Sequence, residues 1–390
     1  MKIAFALIPE KGHVNPYIGP AQALVEAGHE VVIGAPGDIC DQITRAGLAF
    51  HADLIADRQL GRVTRGSELV ELIQYPARLD GWIEQLLLDN VVEQAPTLRE
   101  WYERERADVV VADPLFYAAA IAAHLASLPW AAVSNSLNPV IPASLDSALL
   151  RTVRRLSKRR SELFSGYGME GTFSGPDVLS PFLTVVFATE ALVGPPPDGV
   201  TLVGPSFPPR NRGDEVAARP LPADRPVVYA SFGSQLYFWP GIFEKILIAG
   251  RALDAHMIFA MGDLADDSRW KAPIENCEIY GYAPQLAVLR GASVFVTHGG
   301  ANSVMEGIAA GVPMLISPMC NDQFHQAHFI EKAGIGCVEN LIDAPVERIV
   351  EGLRFLLDGG VRSSMAAVSR TYQVDGARRA AELIASLGGR

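Results

Sequence analysis

A strand, a glycine turn and a helix follow one another in one short segment of the second half, and this pattern constrains the fold most strongly. Residues 293–297 form a β-branched and aromatic run that is typical of a buried parallel strand. After Gly299 and Gly300, apolar residues recur at helical spacing from Ala301 onward. Gly311 lies where a glycine commonly ends a helix. The pattern predicts a βαβ unit, and therefore a parallel sheet covered by helices.

The start of that helix carries groups that suit an anion. In a βαβ unit the helix N-terminus lies at the carboxyl edge of the sheet, where its N–H groups and dipole attract negative charge. The two glycines let a phosphate approach the backbone, and Asn302 and Ser303 add donors. Glu306, one turn further, can accept from ribose hydroxyls. A glycine pair can also be a purely structural turn, but these polar residues together with His298 favour a nucleotide site.

Residues 298–306, HGGANSVME, resemble the nucleotide-sugar signature of the UDP-glycosyltransferase superfamily, which includes bacterial macrolide and antibiotic enzymes of the GT-B fold. Residues 282–285 resemble the segment that stacks on the base, residues 322–323 the pair that holds sugar hydroxyls, and residues 231–234 a turn beside the diphosphate. The donor-binding residues implied by this resemblance are Gly233, Ser234, Tyr282, Ala283, Gln285, His298, Gly299, Gly300, Asn302, Ser303, Glu306, Asp322 and Gln323.

Length and charge exclude several classes of protein. The chain has 390 residues, enough for two domains with large cores. Its 44 acidic residues against 33 Lys and Arg give a net charge of −11, which argues against nucleic acid as a partner. The four cysteines show no CxxC spacing, so neither a disulfide framework nor a zinc site is indicated. No apolar run reaches the roughly 18 residues of a membrane span, and we expect a soluble cytoplasmic protein.

The N-terminus also begins as a βαβ unit. We predict a strand at residues 2–7, a loop at residues 9–16 and a helix at residues 17–27 that ends at Gly28. The loop contains no GxGxxG, so a dinucleotide-binding dehydrogenase is disfavoured. His13 lies in this loop at the carboxyl end of the strand, where ligand-binding groups gather in such sheets.

His13 and Asp113 are the candidate catalytic residues. His13 alone is an ordinary loop histidine, but residues 12–16, GHVNP, resemble the segment that carries the general base in these glycosyltransferases. A neutral imidazole suits proton removal from a hydroxyl near neutral pH. Asp113 ends a buried strand at residues 109–111 and can cap the following helix. The resemblance implies instead that Asp113 orients the His13 ring and stabilises the imidazolium.

The resemblance implies an α/β architecture with two Rossmann-like domains whose parallel sheets face each other across a cleft. Residues 1–204 are predicted to form the acceptor-binding domain, and the proline-rich residues 205–226 the linker. Residues 227–374 are predicted to bind the nucleotide sugar. We expect a C-terminal helix in residues 375–390 to pack back on the first domain.

Three parts of the first domain bear on the acceptor. Residues 66–106 are predicted to be helical, and Tyr75, Trp82 and Phe116 are candidates for acceptor contacts. Residues 165–181 are predicted to be a mobile loop. A basic segment follows the pattern of a solvated helix face or, alternatively, of a surface for anionic lipid or an acidic acceptor. It consists of Arg151, Arg154, Arg155, Lys158, Arg159 and Arg160.

The implied reaction is an inverting transfer of a hexose from a nucleotide sugar, with no cofactor. No metal ion is expected, because donors at the helix N-terminus meet the charge of the diphosphate and the acidic residues form no DxD pair beside a phosphate loop. Asp266 and Asp267 lie in a polar stretch and are interpreted as surface residues. Asp322 and Gln323 favour UDP-glucose, although a dTDP-sugar stays open. The acceptor is expected to be an apolar phenol, polyketide, macrolide or lipid alcohol, which the sequence does not identify.

Two other functions, as well as the oligomeric state, stay open at this point. The first is a nucleotide-sugar epimerase of similar two-domain fold, for which His13 and Asp113 would be dispensable. The second is a non-catalytic protein that binds sugar nucleotides, which would have no use for such a pair. The sequence does not distinguish a monomer from a homodimer.

Overall fold

Short apolar segments supply the strands, as the sequence predicts. The structure is a computed structural model, and it describes residues 1–51 and 65–389. Its strands are β1 (Lys2–Ala6), β2 (Glu30–Gly34), β3 (Ala49–Phe50), β4 (Val109–Ala112), β5 (Trp130–Ser134), β6 (Thr172–Ser174), β7 (Asp177–Leu179), β8 (Leu183–Val186), β9 (Val200–Leu202), β10 (Val227–Ser231), β11 (His256–Ala260), β12 (Cys277–Tyr280), β13 (Val294–Thr297), β14 (Met314–Ile316) and β15 (Gly336–Val338).

Helices connect most of these strands. They are α1 (Lys11–Glu26), α2 (Cys40–Arg45), α3 (Ser67–Gln74), α4 (Pro76–Glu84), α5 (Val91–Glu105), α6 (Tyr117–Leu125), α7 (Ala148–Arg155), α8 (Ser157–Gly166), α9 (Glu190–Val193), α10 (Pro240–Ala252), α11 (Ser268–Lys271), α12 (Gln285–Leu289), α13 (Ala301–Ala310), α14 (Gln323–Lys332), α15 (Val346–Leu357), α16 (Arg362–Thr371) and α17 (Gly376–Ala385). A π-helical turn lies at Gln85–Asp89, and 3-10 turns lie at Asn138–Val140, Gly262–Asp266 and Ser386–Gly389.

The described residues divide into two units, each with its own sheet and hydrophobic core. The first unit contains residues 1–51, 76–214 and 374–389, and the second contains residues 65–75 and 215–373. The division after residue 214 lies within the range predicted as a linker, and residues 203–226 form neither helix nor strand.

Both sheets reverse their winding direction beside their first strand. In the first unit the strand order is β3-β2-β1-β4-β5-β8-β9, and in the second it is β12-β11-β10-β13-β14-β15. All neighbouring strands in these two sheets are parallel. The order turns from β1 to β4 in one sheet and from β10 to β13 in the other, and such switch points open a crevice at the carboxyl ends of the strands. The predicted α/β class with two parallel sheets is confirmed.

The start of α1 departs from the prediction of a loop at residues 9–16. The helix begins at Lys11 and continues through Pro16 and Pro20. Each proline lacks an N–H, so the carbonyls of Gly12 and Pro16 lose their helical donors. Asn135 Nδ2 donates to the Gly12 carbonyl at 2.8 Å. Ser206 Oγ donates to the Pro16 carbonyl at 2.6 Å. The loop prediction was wrong because these distant side chains let the helix tolerate its prolines.

The predicted mobile loop at residues 165–181 contains a hairpin instead. Strands β6 and β7 pair in antiparallel fashion. Asp177 at the start of β7 is 1% exposed and accepts hydrogen bonds from Ser134 Oγ at 2.5 Å and Asn138 Nδ2 at 2.7 Å. Arg160 donates to the carbonyl of Gly175 in the turn at 2.7 Å. The loop prediction was wrong here because a buried carboxylate and a buried guanidinium fix the segment.

Two short segments each belong to a unit whose other residues are distant from them in sequence. Residues 65–75 belong to the second unit, where Gly66 N–H donates to the Gln235 carbonyl at 2.7 Å. They therefore depart from the predicted first-domain range of residues 1–204. The C-terminal helix α17 belongs to the first unit, and a Cβ atom at Gly19 of α1 would lie only 2.8 Å from Cβ of Ala377. The small side chains at this contact let the two helices approach closely.

Acidic side chains neutralise the basic segment. Asp146 pairs with Arg151 and Arg154, and Glu162 with Lys158. The remaining pairs are Arg155 with Asp80 and Arg159 with Glu84 and Asp89. Arg160 is buried and lies 4.5 Å from the ring centre of Phe173. This pairing favours an ordinary solvated helix face over a surface for anions.

Among the described helices, none combines the length and apolar character required to cross a bilayer.

Candidate active site

The carboxyl ends of β1 and β4 bring His13 and Asp113 together in the first unit. The two strands are neighbours, with Ala6 opposite Ala112, and each candidate residue follows its strand. His13 Nδ1 and Asp113 Oδ2 lie 2.6 Å apart. The His13 side chain is 17% exposed, whereas that of Asp113 is fully buried. A partly exposed imidazole held by a buried carboxylate can exchange a proton with a bound ligand.

Asp113 pairs with His13 and does not cap α6, whose cap position is Phe116 and carries no side-chain hydrogen bond. Its Oδ1 accepts from the Leu115 N–H at 3.0 Å just before α6, while Oδ2 bonds to His13. Burial raises the pKa of the neighbouring Tyr17 well above its ordinary value, and the charge of Asp113 adds to that shift. Because Asp113 accepts from Nδ1–H, the neutral His13 presents Nε2 as its proton-accepting nitrogen.

In the second unit, the ring of His298 occupies the space that two glycines leave open. A Cβ atom at Gly300 would lie 2.6 Å from His298 Nε2, and one at Gly233 would lie 2.8 Å from Cε1. Gly233 follows β10 and Gly300 follows β13, so the ring lies at the second switch point. The backbone at Gly299 has φ +85°, a conformation that favours glycine. The absence of side chains at Gly233 and Gly300 therefore leaves room for the His298 ring, in addition to the room predicted for a phosphate.

His298 is a neutral imidazole at physiological pH. Removal from water lowers its pKa from 6.5 to about 4, against which a hydrogen bond with the main chain of Ser231 acts. A neutral ring can donate one hydrogen bond but brings no full positive charge. The N-terminus of α13, which follows at Ala301, supplies the positive dipole at this position.

Gln285 and Glu306, predicted to contact the base and the ribose, are joined to each other. Gln285 Nε2 donates to Glu306 Oε2 at 2.7 Å and lies 3.4 Å from Ser303 Oγ. The buried Tyr229 of β10 donates to Gln285 Oε1 at 3.0 Å. Glu306 is only 4% exposed. This network fixes Gln285 at the start of α12 and connects it to the first turns of α13.

The loop before α14 is fixed by Gln323. Its Oε1 accepts from the N–H groups of Met319 and Cys320 at 2.8 and 3.1 Å, and the side chain is 6% exposed. Asp322 directly precedes the helix, is partly exposed and accepts from Gln326 Nε2 at 3.2 Å. The structure thus shows Gln323 as a structural anchor and leaves Asp322 as the more accessible residue of the pair.

The remaining residues predicted to bind the nucleotide sugar lie in the same loops and helix starts as those described above. Ser234, Tyr282 and Asn302 are partly exposed, whereas Ala283 is buried at 3% exposure. Ser234 follows Gly233 after β10, and Asn302 lies in the first turn of α13. Tyr282 and Ala283 lie between β12 and α12. The contacts of these residues with a nucleotide stay predictions.

Similar proteins share both the sequence and the fold. The family model described as UDP-glucoronosyl and UDP-glucosyl transferase matches residues 223–365. The NDP-glycosyltransferase YjiC of Bacillus licheniformis is 26% identical, over 86% of this chain and 84% of its own. The oleandomycin glycosyltransferase of Streptomyces antibioticus is 27% identical, over 98% and 90%. The solved structure of the glycotransferase of kitacinnamycin has a TM-score of 0.77 at 26% identity, over 99% and 98%.

The chain is a glycosyltransferase, and its residues 223–365 resemble the UDP-glycosyltransferase family. Its relatives include enzymes of natural-product glycosylation, and its fold is that of the GT-B enzymes. These similarities give no support to the epimerase or to the non-catalytic binding protein. The residues that match the family model include Gly233, His298 and Gly300 but not His13 and Asp113.

This glycosyltransferase places its three acceptor candidates in different surroundings. Phe116 is 6% exposed and belongs to the core of the first unit, and Trp82 packs against the same core. Tyr75 is 53% exposed and belongs to the second unit, although the sequence assigned it to the first domain. Core packing accounts for Phe116, and an acceptor contact for Trp82 or Tyr75 stays a prediction.

Two polar residues near the predicted sites were not expected from the sequence. Asn135 follows β5 and bonds to the main chain beside His13. Tyr229 lies within an apolar strand and stacks on Phe295 with ring centres 4.9 Å apart, so its sequence context indicates only core packing. For Asn135 the only signal was indirect, because Pro16 has no N–H to donate to the Gly12 carbonyl.

The lowered pKa of His298 predicts acid sensitivity. The folded chain keeps His298 neutral down to about pH 4, whereas the unfolded chain protonates it below 6.5. The contribution of the neutral His298 to the free energy of unfolding is therefore complete above pH 6.5 and is lost as the pH falls toward 4. We compare the free energy of unfolding at pH 7.5 and at pH 5. The decrease between these pH values should be about 1 to 2 kcal/mol smaller in His298→Asn than in the parent chain. Denaturant titrations at both pH values test this, and equal losses in the two proteins would contradict it.

A methyl group at Gly300 should act through the His298 ring. Gly300 has φ −61°, so alanine is tolerated by the backbone and only the ring must move. We expect Gly300→Ala to weaken nucleoside diphosphate binding by about 10- to 100-fold, because a hydrogen bond to a charged group is lost. Calorimetry with UDP and dTDP measures the affinity. Gly241→Ala is the control, since no atom lies within 4 Å of a Cβ there.

The double variant separates two explanations of the glycine. If Gly300 serves to make space for the ring, Gly300→Ala should cause no further loss in a His298→Ala background. A full additional loss in that background would show that the methyl group obstructs the phosphate itself.

Proposed function

We propose that the protein transfers a hexose from a nucleotide sugar to a hydroxyl group of an apolar small molecule, with inversion and without a metal ion. The hydrogen bond of 2.6 Å between His13 and the buried Asp113 is the observation that carries this proposal. It combines a proton acceptor with a group that stabilises the protonated ring, which is the arrangement that general-base catalysis requires.

The reaction needs one displacement. His13 Nε2 takes the proton of the acceptor hydroxyl while the oxygen attacks the anomeric carbon. The bond from that carbon to the diphosphate breaks on the opposite face, and the nucleoside diphosphate leaves with the electron pair. The buried Asp113 carboxylate stabilises the imidazolium that forms. Because the new bond forms opposite the old one, the configuration at the anomeric carbon inverts.

Donors of the second unit would stabilise the leaving diphosphate. We assign this task to the N-terminus of α13, to the side chains of Asn302 and Ser303, and to His298 as a neutral hydrogen-bond donor. Preorganised donors of this kind contribute several kcal/mol when they meet charge that develops in the transition state. They perform the neutralisation for which other transferases use a metal ion, so we expect chelators to leave the activity unchanged.

Donor and acceptor are proposed by class. We assign the partly exposed Asp322 to accept hydrogen bonds from sugar hydroxyls, which favours a hydroxyl-rich sugar such as glucose; UDP-glucose is the first candidate donor and a dTDP-hexose the second. The names of the relatives indicate a nucleoside diphosphate donor for one and oleandomycin for the other. We therefore propose an apolar natural product, such as a phenol, polyketide or macrolide, as acceptor.

Removal of the base should abolish transfer and preserve donor binding. We expect His13→Ala to lower kcat by about 100- to 10,000-fold, the usual contribution of a general base. Asp113→Asn should also lower kcat, because it no longer stabilises the imidazolium. The assay is mass spectrometry of UDP-glucose and dTDP-glucose with a panel of phenolic and polyketide acceptors, with and without EDTA. Calorimetry with UDP should show unchanged affinity.

The exposed His124 provides a matched control, and His124→Ala should retain full activity. Wild-type turnover in His13→Ala would refute the role of His13 as base. Loss of activity in EDTA would refute metal independence. Conversion of the nucleotide sugar to an isomer without an acceptor would establish the epimerase alternative.

A further inference from the structure

We propose that Asn135 is a positioning residue for His13, because it supplies the hydrogen bond that Pro16 cannot make. This inference rests on the proposed role of His13 as general base. Asn135 Nδ2 donates to the carbonyl of Gly12 at 2.8 Å. In an α-helix that carbonyl accepts from the N–H of the fourth residue onward, which here is Pro16.

The bonded carbonyl belongs to the peptide group that joins Gly12 to His13. Its orientation sets the main-chain direction from which the His13 side chain starts, and the peptide group is planar and rigid. Pro16 offers the Gly12 carbonyl no helical N–H in the first turn of α1, where the main chain is held least. Asn135 thus fixes the backbone beside His13, while Asp113 fixes the ring.

The sheet explains why Asn135 can reach this position. The order β1-β4-β5 places three carboxyl ends side by side. His13 follows β1, Asp113 follows β4, and Asn135 follows β5. Two consecutive strand ends therefore supply the two groups that hold His13. A shift of about 1 Å in a reacting group can cost up to 100-fold in rate, so the backbone contact bears directly on catalysis.

The chain contains a matched arrangement one turn further along α1. Pro20 leaves the Pro16 carbonyl without its helical N–H, and Ser206 Oγ donates to that carbonyl at 2.6 Å. The chemistry is the same, but the repaired carbonyl lies beyond the turn that carries His13. Ser206 is therefore the control that separates support of the helix from positioning of the base.

The experiment measures steady-state kinetics of the full chain with a donor and acceptor on which the wild type is active. We expect Asn135→Ala to lower kcat by about 10- to 100-fold, with the affinity for UDP unchanged. Pro16→Ala restores a main-chain N–H for the Gly12 carbonyl and should be close to wild type alone. The double variant Pro16→Ala with Asn135→Ala should regain most of the kcat. Ser206→Ala should keep wild-type kcat.

Each result decides the proposal. Wild-type kcat in Asn135→Ala overturns it, and so does a loss that Pro16→Ala fails to recover, since Asn135 would then act through some other contact. If Asn135→Ala lacks a cooperative melting transition, Asn135→Asp is compared in its place, because it keeps the size but loses the donor. His13→Ala distinguishes the two levels of the account. Activity in that variant refutes the proposed function, whereas inactivity combined with normal Asn135→Ala refutes only the positioning role.

Discussion

The reversal of strand order within each sheet is the constraint on which the candidate sites depend. In the first unit it makes β1 and β4 neighbours, so that residues 100 positions apart in sequence, His13 and Asp113, share a hydrogen bond. In the second unit it makes β10 and β13 neighbours, so that Gly233 and Gly300 flank His298. Each of these pairs therefore lies in the segments that follow two adjacent parallel strands, where ligands bind in open α/β sheets.

Burial divides the chemistry between the two histidines. His13 is partly exposed and hydrogen-bonded to a buried carboxylate, an arrangement that can stabilise an imidazolium. His298 lies against Gly233 and Gly300, and its burial lowers its pKa to about 4. The first histidine is thus suited to accept a proton and the second to donate a hydrogen bond while it stays neutral. The same residue type performs two roles because its surroundings differ.

The parts of the structure that depend on local patterns could be predicted from the sequence. The period of apolar residues and the position of Gly311 gave β13 and α13, and Gly311 has the left-handed conformation expected at a helix end, with φ 72°. The contact between His13 and Asp113 was predicted from motif resemblance. Their spacing alone did not require it.

The parts that depend on distant side chains could not be predicted. Pro16 argues against a helix at the start of α1, and Asn135 and Ser206 donate to the two carbonyls that Pro16 and Pro20 leave without a helical N–H. The glycine-rich segment that contains β6 and β7 is ordered because Asp177 is buried against β5 and the turn that follows it. In both cases the deciding hydrogen bonds connect residues far apart in sequence, and no local pattern encodes them.

The central claim is a direct displacement at the anomeric carbon, and the configuration of the product tests it most directly. The nuclear magnetic resonance spectrum of the glycoside formed from an α-linked nucleoside diphosphate glucose reports that configuration through the coupling between the first two ring protons. We predict a β-glycoside, because the acceptor oxygen enters opposite the leaving diphosphate. An α-glycoside would contradict the account, since it would require either a second displacement or attack from the face on which the diphosphate leaves.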